Sequence, residues 1–320
     1  MIKHGFLKKE HTQRYRCKRC VKTFSDADKR QFGVLRTKPD KIKQTLTLLT
    51  EGAGIRSSAR IVGIHRDTVL SILKLAGQRC EDLLKRKLVN VTAEHIEVDE
   101  LWTFVHKKQK RAINPEIDID WRGDYYTYLG LDSKTKLLFL PLVGKRTETN
   151  TKIFMDELSK SVNGQVQITT DGFKPYRAAV KEAFGKRADF AQYYKEYNML
   201  KERKFNPYVS ISERQHLKDR YRPKENGKCY TVRSGNPDAS LITTSRIERA
   251  NLTLRTANKR FNRATICFSK DEEYLHYAVM LFVAHYNFVK LHGTIKTTPA
   301  IASGITDRKW AVEEMLLLKS

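Results

Sequence analysis

The chain has 320 residues, of which 61 are Lys or Arg and 36 are Asp or Glu, so its formal net charge is +25 at pH 7. This length allows one large domain or two to three small ones with a proper hydrophobic core. Such a positive field favours a polyanionic partner; nucleic acid is the commonest, and an anionic membrane surface is the competing one.

Several classes of protein are disfavoured by the same composition. Residues 1–20 are charged and lack the apolar stretch of a secretory signal. The longest apolar run, at 277–284, is far too short to cross a bilayer. The five cysteines suit a reducing cytoplasm better than a disulfide framework. We therefore expect a cytoplasmic protein without a membrane span.

The N-terminal stretch RYRCKRC carries a C-x-x-C motif. Cys17 and Cys20 have the spacing of one zinc knuckle, which would place two thiolates on the same Zn²⁺ ion. A tetrahedral site needs four ligands, and there is no second C-x-x-C motif in the chain. His4 and His11 could serve, although their spacing is not typical of a zinc site. A remnant without metal is the alternative interpretation.

A helical pattern follows the C-x-x-C motif. The apolar spacing predicts three helices, over residues 42–49, 57–62 and 65–75. Gly63 supplies a tight turn between the last two, which is typical of a helix-turn-helix whose last helix enters the major groove by its N-terminal residues. This would direct His65, Arg66 and Thr68 at DNA. An ordinary helical hairpin with a solvated basic face is the alternative.

From about residue 88 the pattern changes to strands and helices. Strands are predicted over 95–105, 125–132, 136–143 and 165–172, and helices over 149–162, 174–184, 245–262 and 271–290. This order predicts an α/β protein with a mixed sheet covered by helices. It matches a ribonuclease-H-like fold with a polar insertion at about 190–242.

One segment of this basic chain reverses the local charge. Residues 88–106 contain no Lys or Arg but hold Glu94, Glu97, Asp99 and Glu100. Alternation along a strand places Glu97 and Asp99 on one face and Glu100 on the other. A divalent cation would supply the missing counter-charge. A solvated acidic edge is the alternative.

Two other carboxylates stand out by their position. Asp171 ends a predicted strand and precedes a glycine, which suits an active-site rim but is also a plain turn signal. Glu248 is the only carboxylate between Asp238 and Asp271, an interval with seven Lys or Arg. Ser245 and Glu248 also fit a capping box, so the local sequence leaves both roles open.

Four stretches of the sequence resemble insertion-sequence transposases of the InsAB type, which belong to the D-D-E class. They are TTSRIERANLTLRTANKRFNRATICFSK, HYNFVKLHGTIKTTPA, IEVDELWTFV and TTDGFKPY. The resemblance covers roughly residues 14–315, and by similarity the catalytic triad maps to Asp99, Asp171 and Glu248. It implies three parts: a partial zinc-ribbon-like segment at 1–30, a helix-turn-helix domain at 36–88 and a ribonuclease-H-like catalytic domain at 92–315. The family's first Cys pair is missing here.

The resemblance also implies a chemistry. Three carboxylates would hold two Mg²⁺ or Mn²⁺ ions about 3.5–4 Å apart for in-line phosphoryl displacement. Water would first cut the DNA strand, and the freed 3′-hydroxyl would then attack target DNA. Basic side chains around Glu248 would track phosphates. These residues are Arg246, Arg249, Arg255, Lys259 and Arg260.

Double-stranded DNA, as element ends and as target, is the partner that this activity implies. Pairing two ends implies a homo-oligomer, and a prokaryotic source implies association with the nucleoid. Two other functions remain open. A ribonuclease-H-like nuclease or resolvase would hydrolyse DNA without strand transfer, and a transposase-derived DNA-binding regulator would need no metal.

Overall fold

The N-terminal region of the computed structural model forms a three-stranded antiparallel sheet. The structure describes residues 1–7, 12–25, 32, 35–109, 122–194, 230–262 and 265–317. The sheet consists of β1 (Ile2–Leu7), β2 (Thr12–Arg16) and β3 (Thr23–Ser25), in that order. The turn between β2 and β3 contains Cys17 and Cys20.

Three helices follow, as predicted: α1 (Pro39–Thr50), α2 (Ile55–Val62) and α3 (Arg66–Lys87). Gly63 makes the turn between α2 and α3 with φ at +65°, which glycine adopts without strain. The prediction that the third helix ends at 75 is wrong. Buried residues continue in helical phase through Ala76, Cys80 and Leu84, and the basic last turn complements the helix dipole.

The central sheet has six strands. They are β5 (His95–Val105), β6 (Gly123–Asp132), β7 (Leu142–Gly144), β9 (Val166–Thr170), β10 (Ala188–Tyr193) and β11 (Tyr230–Ser234), in the order β11-β10-β9-β5-β6-β7. β9 pairs in parallel with both β5 and β10, and the other pairs are antiparallel. A short parallel pair joins β4 (Val91–Thr92) to β8 (Val162–Asn163). The prediction of an α/β fold with a mixed sheet is confirmed.

The strand predicted over 136–143 is mostly absent. Leu138 makes a single bridge to Leu131, and regular pairing begins only at β7. The side chain of Asn287 donates to the Leu138 carbonyl at 2.7 Å and accepts from its N–H at 3.0 Å. A side chain therefore satisfies the backbone groups that a neighbouring strand would otherwise take. Of the predicted insertion at 190–242, residues 195–229 lie outside the described part of the chain.

Further helices pack against the sheet or against other helices. They are α4 (Glu148–Ser161), α5 (Tyr176–Phe184), α6 (Ser245–Ala257), α7 (Glu272–Phe288), α8 (Pro299–Ala302) and α9 (Glu314–Leu317). α7 contains the apolar run at 277–284, which is buried in the core against α3. Within the described ranges, none of the helices combines the length and the apolar character needed to cross a membrane.

The core is continuous from α3 through the sheet to α7. The helix predicted over 245–262 ends earlier, because Asn258 is extended at φ −144° and ψ 104°, and a short 3-10 turn follows at Lys259–Phe261. The division into domains at 36–88 and 92–315 stays a prediction.

Candidate metal centre

The pairing of β5 with β9 brings Asp99 and Asp171 together. Val98 on β5 lies opposite Thr170 on β9, so the next residue on each strand comes to the same end of the sheet. One carboxylate oxygen from each of Asp99, Glu100 and Asp171 lies within 4.8 Å of the others. The register thus unites two acids that are 72 positions apart in the sequence.

The surroundings of Asp99 disfavour its negative charge. Burial is the main cause that raises the pKa of Asp99 to about 7, and the charge of Asp171 adds to it. The charge of Glu248, the third predicted acid, also raises this pKa, but its carboxylate is not part of the cluster within 4.8 Å. Asn251, one turn after Glu248, donates from Nδ2 to Asp99 Oδ2 at 2.8 Å.

Glu100 is an acid of this centre that the predicted triad lacks. Its side chain is only 2% exposed, and its Oε2 accepts from Arg146 Nη2 at 3.0 Å. Burial, followed by the charge of Asp171, raises the pKa of Glu100 to about 8. Asp99 contacts α6 whereas Glu100 lies next to Tyr176 on α5, as the predicted alternation requires. The signal in the sequence was the acidic segment without Lys or Arg.

Glu97 fastens helix α6 to strand β5. Its buried Oε2 accepts from the backbone N–H groups of Arg246 at 2.9 Å and Ile247 at 3.0 Å, and its Oε1 pairs with the Arg246 guanidinium at 2.9 Å. A carboxylate at a helix N-terminus satisfies free amides and interacts favourably with the helix dipole. Glu97, two residues before Asp99 on β5, therefore holds in place the helix that carries Glu248.

The capping box of Ser245 and Glu248 does not form. Thr244 is the N-cap residue, and the Glu248 N–H donates to the Thr244 carbonyl at 3.1 Å. Glu248 Oε1 accepts from the Thr244 hydroxyl at 2.8 Å. The box fails because the helix begins one residue earlier than it requires, with Glu97 bound to the amides of the first turn.

The basic residues near Glu248 fall into two groups. Arg249 and Lys259 are exposed. The other three donate to protein oxygens: Arg246 to Glu97, Arg255 to the Phe261 carbonyl and Arg260 to Ser269. Contacts of these five residues with DNA stay predictions.

The predicted recognition residues lie at the start of α3. His65 is the N-cap residue, and its Nδ1 accepts from the Asp67 N–H at 3.3 Å. The Arg66 side chain is 60% exposed, and Thr68 is partly exposed within the first turn of the helix. The three side chains therefore lie at one end of α3, in a part of the sequence that precedes the acidic centre.

Cys17 and Cys20 lie in the turn between β2 and β3. The Val21 N–H donates to the Cys17 carbonyl, and the Cys17 N–H donates to the Lys22 carbonyl, both at 3.0 Å. Backbone N–H groups, first that of Cys20, lower the pKa of the Cys17 thiol. Over the described ranges, the acidic centre is the only cluster of three or more candidate ligands, so no third ligand joins the two cysteines. His11 lies outside the described residues, and zinc binding stays a prediction.

The donor atoms of the acidic centre fit a hard divalent cation. Carboxylate oxygens are the ligands that Mg²⁺ and Mn²⁺ prefer. The pKa values of Asp99 and Glu100 are raised mainly by burial and then by the charge of Asp171, and a bound cation would offset both effects. Asn251 Oδ1 is a further buried oxygen, with no hydrogen-bond partner among the described residues.

Sequence comparison matches a family of known proteins over the C-terminal part of the chain. The model of the IS1 transposase family matches residues 231–289. The protein InsB of insertion element iso-IS1n from Shigella dysenteriae is 49% identical over 47 residues, which make up 15% of this chain. The match spans about a third of that relative, 36% of its length.

Two solved structures of DNA complexes align at low similarity. The Mos1 strand transfer complex has a TM-score of 0.23 at 12% identity and covers 72% of this chain and 82% of that chain. The piggyBac transposase synaptic complex with hairpin DNA has a TM-score of 0.34 at 10% identity and covers 88% and 70%. Such TM-scores are too low to establish a common fold. Residues 231–289, which include Glu248, match the model of the IS1 transposase family. This match confirms the predicted resemblance to insertion-sequence transposases.

Proposed function

We propose that the protein is a DNA transposase of an insertion sequence, which cuts element ends and joins them to target DNA. The observation that carries the proposal is the convergence of Asp99, Glu100 and Asp171 within 4.8 Å, with the charge of Glu248 acting on Asp99. The family match over the segment that contains Glu248 supports it.

The sheet supports a ribonuclease-H-like catalytic domain. β5, β6 and β7 form an antiparallel meander, and β9 and β10 extend the sheet in parallel on the other side of β5. The central strand β5 thereby carries Asp99 beside the end of β9, where Asp171 lies. This is the position at which a sheet of this kind offers acids from two strands to one ligand.

In this proposal Asp99, Asp171 and Glu248 hold the divalent cations. The bound cations would supply charge neutralisation to the attacking and leaving oxygens of an in-line phosphoryl displacement. Asn251 orients the Asp99 carboxylate through its 2.8 Å hydrogen bond. Glu97 holds the N-terminus of α6, and thereby Glu248, against β5. No side chain needs to form a covalent intermediate.

The test is strand cutting and joining by purified protein on its flanking DNA ends with Mg²⁺ or Mn²⁺. Asp99→Asn, Asp171→Asn or Glu248→Gln should reduce cutting by orders of magnitude and retain end binding, because an amide is a poorer ligand for a hard cation than a carboxylate. Glu94→Gln is the matched control, since Glu94 lies just before β5 and pairs with Lys134 at the surface. Full cutting by any of the three variants would contradict the triad.

The same assay separates the alternatives. Cutting without joining would indicate a nuclease or resolvase. Binding without divalent-dependent cutting would indicate a regulator. Only the transposase performs all three steps.

We also propose that α2 and α3 form a helix-turn-helix that binds element ends, with His65, Arg66 and Thr68 towards the bases. Arg66→Ala should weaken binding by about 1–3 kcal/mol if Arg66 contacts a base. Lys87→Ala is the matched control, because Lys87 is an exposed cation at the other end of the same helix. Gel-shift titrations on element ends and on random DNA measure the effect. Equal affinity of the Arg66→Ala and unmodified proteins would remove this helix end from the recognition surface, and an equal loss on random DNA would assign Arg66 to phosphate.

A further inference from the structure

Arg146 connects two acids of the centre. It lies between β7 and α4, and its Nη2 donates to Glu100 Oε2 and to Asp171 Oδ2, both at 3.0 Å. Its guanidinium carbon lies 4.0 Å from the ring centroid of Phe173, a cation–π distance that helps to hold the side chain there. One guanidinium nitrogen thus provides counter-charge to two carboxylates.

A divalent cation held by Glu100 and Asp171 would lie beside Arg146, which already donates to both carboxylates. Asp171 Oδ1 accepts from the Phe173 N–H at 2.9 Å, and Oδ2 accepts from Arg146. Both oxygens of Asp171 therefore have a protein donor. A divalent cation at Oδ2 would stand next to the guanidinium, and their like charges would repel each other.

Glu100 adds an unsatisfied oxygen to the site. Its side chain is 98% buried, and Oε1 has no hydrogen-bond partner in the described part of the chain. The buried hydroxyl of Tyr176 lies next to the Glu100 carboxylate and is a neutral donor that can reach it. A divalent cation would stabilise this buried charge more than a neutral hydroxyl does. This oxygen belongs to a side chain whose ligand atom is within 4.8 Å of those of Asp99 and Asp171.

We propose that Glu100 is a fourth carboxylate of the metal site and that Arg146 and a divalent cation compete for Glu100 and Asp171. The proposal rests on the metal site of the proposed function and adds to it a built-in counter-ion. In the metal-free protein Arg146 reduces the repulsion between the acids. Metal binding then includes the displacement of Arg146, and the affinity for metal is lowered by the free energy of that displacement.

The test measures Mn²⁺ binding to the full chain without DNA. Calorimetry, or electron paramagnetic resonance of free Mn²⁺, gives the affinity. Arg146→Gln should tighten binding by about tenfold, since it removes the competing cation. Glu100→Gln should weaken binding by about tenfold, because it removes a ligand. Lys152→Gln is the control for net charge, as Lys152 lies on α4 and pairs with Glu148 and Glu182 rather than with the centre.

Unchanged or weaker Mn²⁺ binding by folded Arg146→Gln protein would show that Arg146 does not compete with the cation. If Arg146→Gln does not fold, as circular dichroism would show, Glu100→Gln carries the test, and an unchanged affinity of that variant overturns the proposal. Absence of Mn²⁺ binding in the unmodified protein and in both variants would overturn the metal site of the proposed function as well. Tight binding that Asp99→Asn abolishes and Arg146→Gln leaves unaltered would overturn the further inference alone.

Discussion

The packing interface between α3 and α7 and the acidic centre at β5 both contain buried or half-buried carboxylates, and their pKa values move in opposite directions. At the interface, Glu81 accepts from His276 at 2.8 Å and from Lys85 at 2.6 Å, and the bond to His276 is the main cause that lowers its pKa to about 2. At the centre, burial raises the pKa of Asp99 to about 7 and of Glu100 to about 8.

The difference lies in where the counter-charge comes from. Glu81 finds its hydrogen-bond donors within the two helices that it joins. Asp99, Glu100 and Asp171 are held together by the sheet register, and Arg146 neutralises only part of their charge. Acids that stabilise a fold are paired by the chain itself, whereas buried acids with too little counter-charge are typical of a candidate functional site.

The largest effect on the free energy of unfolding is expected where α3 and α7 are packed most closely. A Cβ at Gly77 on α3 would meet the Cβ of Tyr277 on α7 and would lie 2.5 Å from its Cα. Gly77→Ala should therefore lower the free energy of unfolding by about 3 kcal/mol, because the helices must separate, despite the gain of roughly 1 kcal/mol in helix propensity. Urea unfolding measures the change.

Gly293→Ala is the control for this substitution, since a Cβ there meets nothing within 4 Å. A Gly77→Ala protein as stable as the unmodified protein would show that the two helices are not in close contact at this point.

A smaller effect is expected in the pH dependence of the free energy of unfolding, measured in EDTA so that no metal is bound. It distinguishes the acids of the centre from Glu81. The pKa of Asp99 rises from 3.8 in the unfolded chain to about 7, so the folded state binds more protons between these values and loses stability as the pH rises through them. Asp99→Asn should thus raise the free energy of unfolding by about 2 kcal/mol near pH 8 and leave it unchanged near pH 4.

The contribution of Glu81 to stability should change with pH in the opposite direction. Its folded pKa of about 2 is below the ordinary value of 4.5, so its contribution to stability is present above pH 4.5 and is lost as the pH falls toward 2. Glu81→Gln should cost about 1 kcal/mol near neutral pH and progressively less in acid. Urea unfolding of both variants over this pH range is the measurement. The same pH dependence in both would remove the contrast between the two regions.

Much of the site was predictable because it depends on local pattern. The period of two places Glu97 and Asp99 on one face of a strand whose bounds, His95–Val105, were predicted correctly. The helical spacing and Gly63 predicted the turn between α2 and α3. The resemblance to a known family, rather than periodicity, selected Asp99, Asp171 and Glu248 from the other acids.

Other features were decided by the tertiary structure alone. Glu97 became the cap of a helix 149 positions away, Arg146 bridged acids from two strands, and Asn287 replaced a strand partner for Leu138. A cap or a periodic apolar face is determined by residues within a turn or two, so the sequence predicts it. Partners across the sheet depend on strand register and on the packing of helices against it, and many pairings of a basic chain with 36 acids satisfy the local rules equally well. The fold chooses among them because burial makes an unpaired charge costly, so each buried acid is stable only where the assembled structure, or a ligand bound to it, provides a partner.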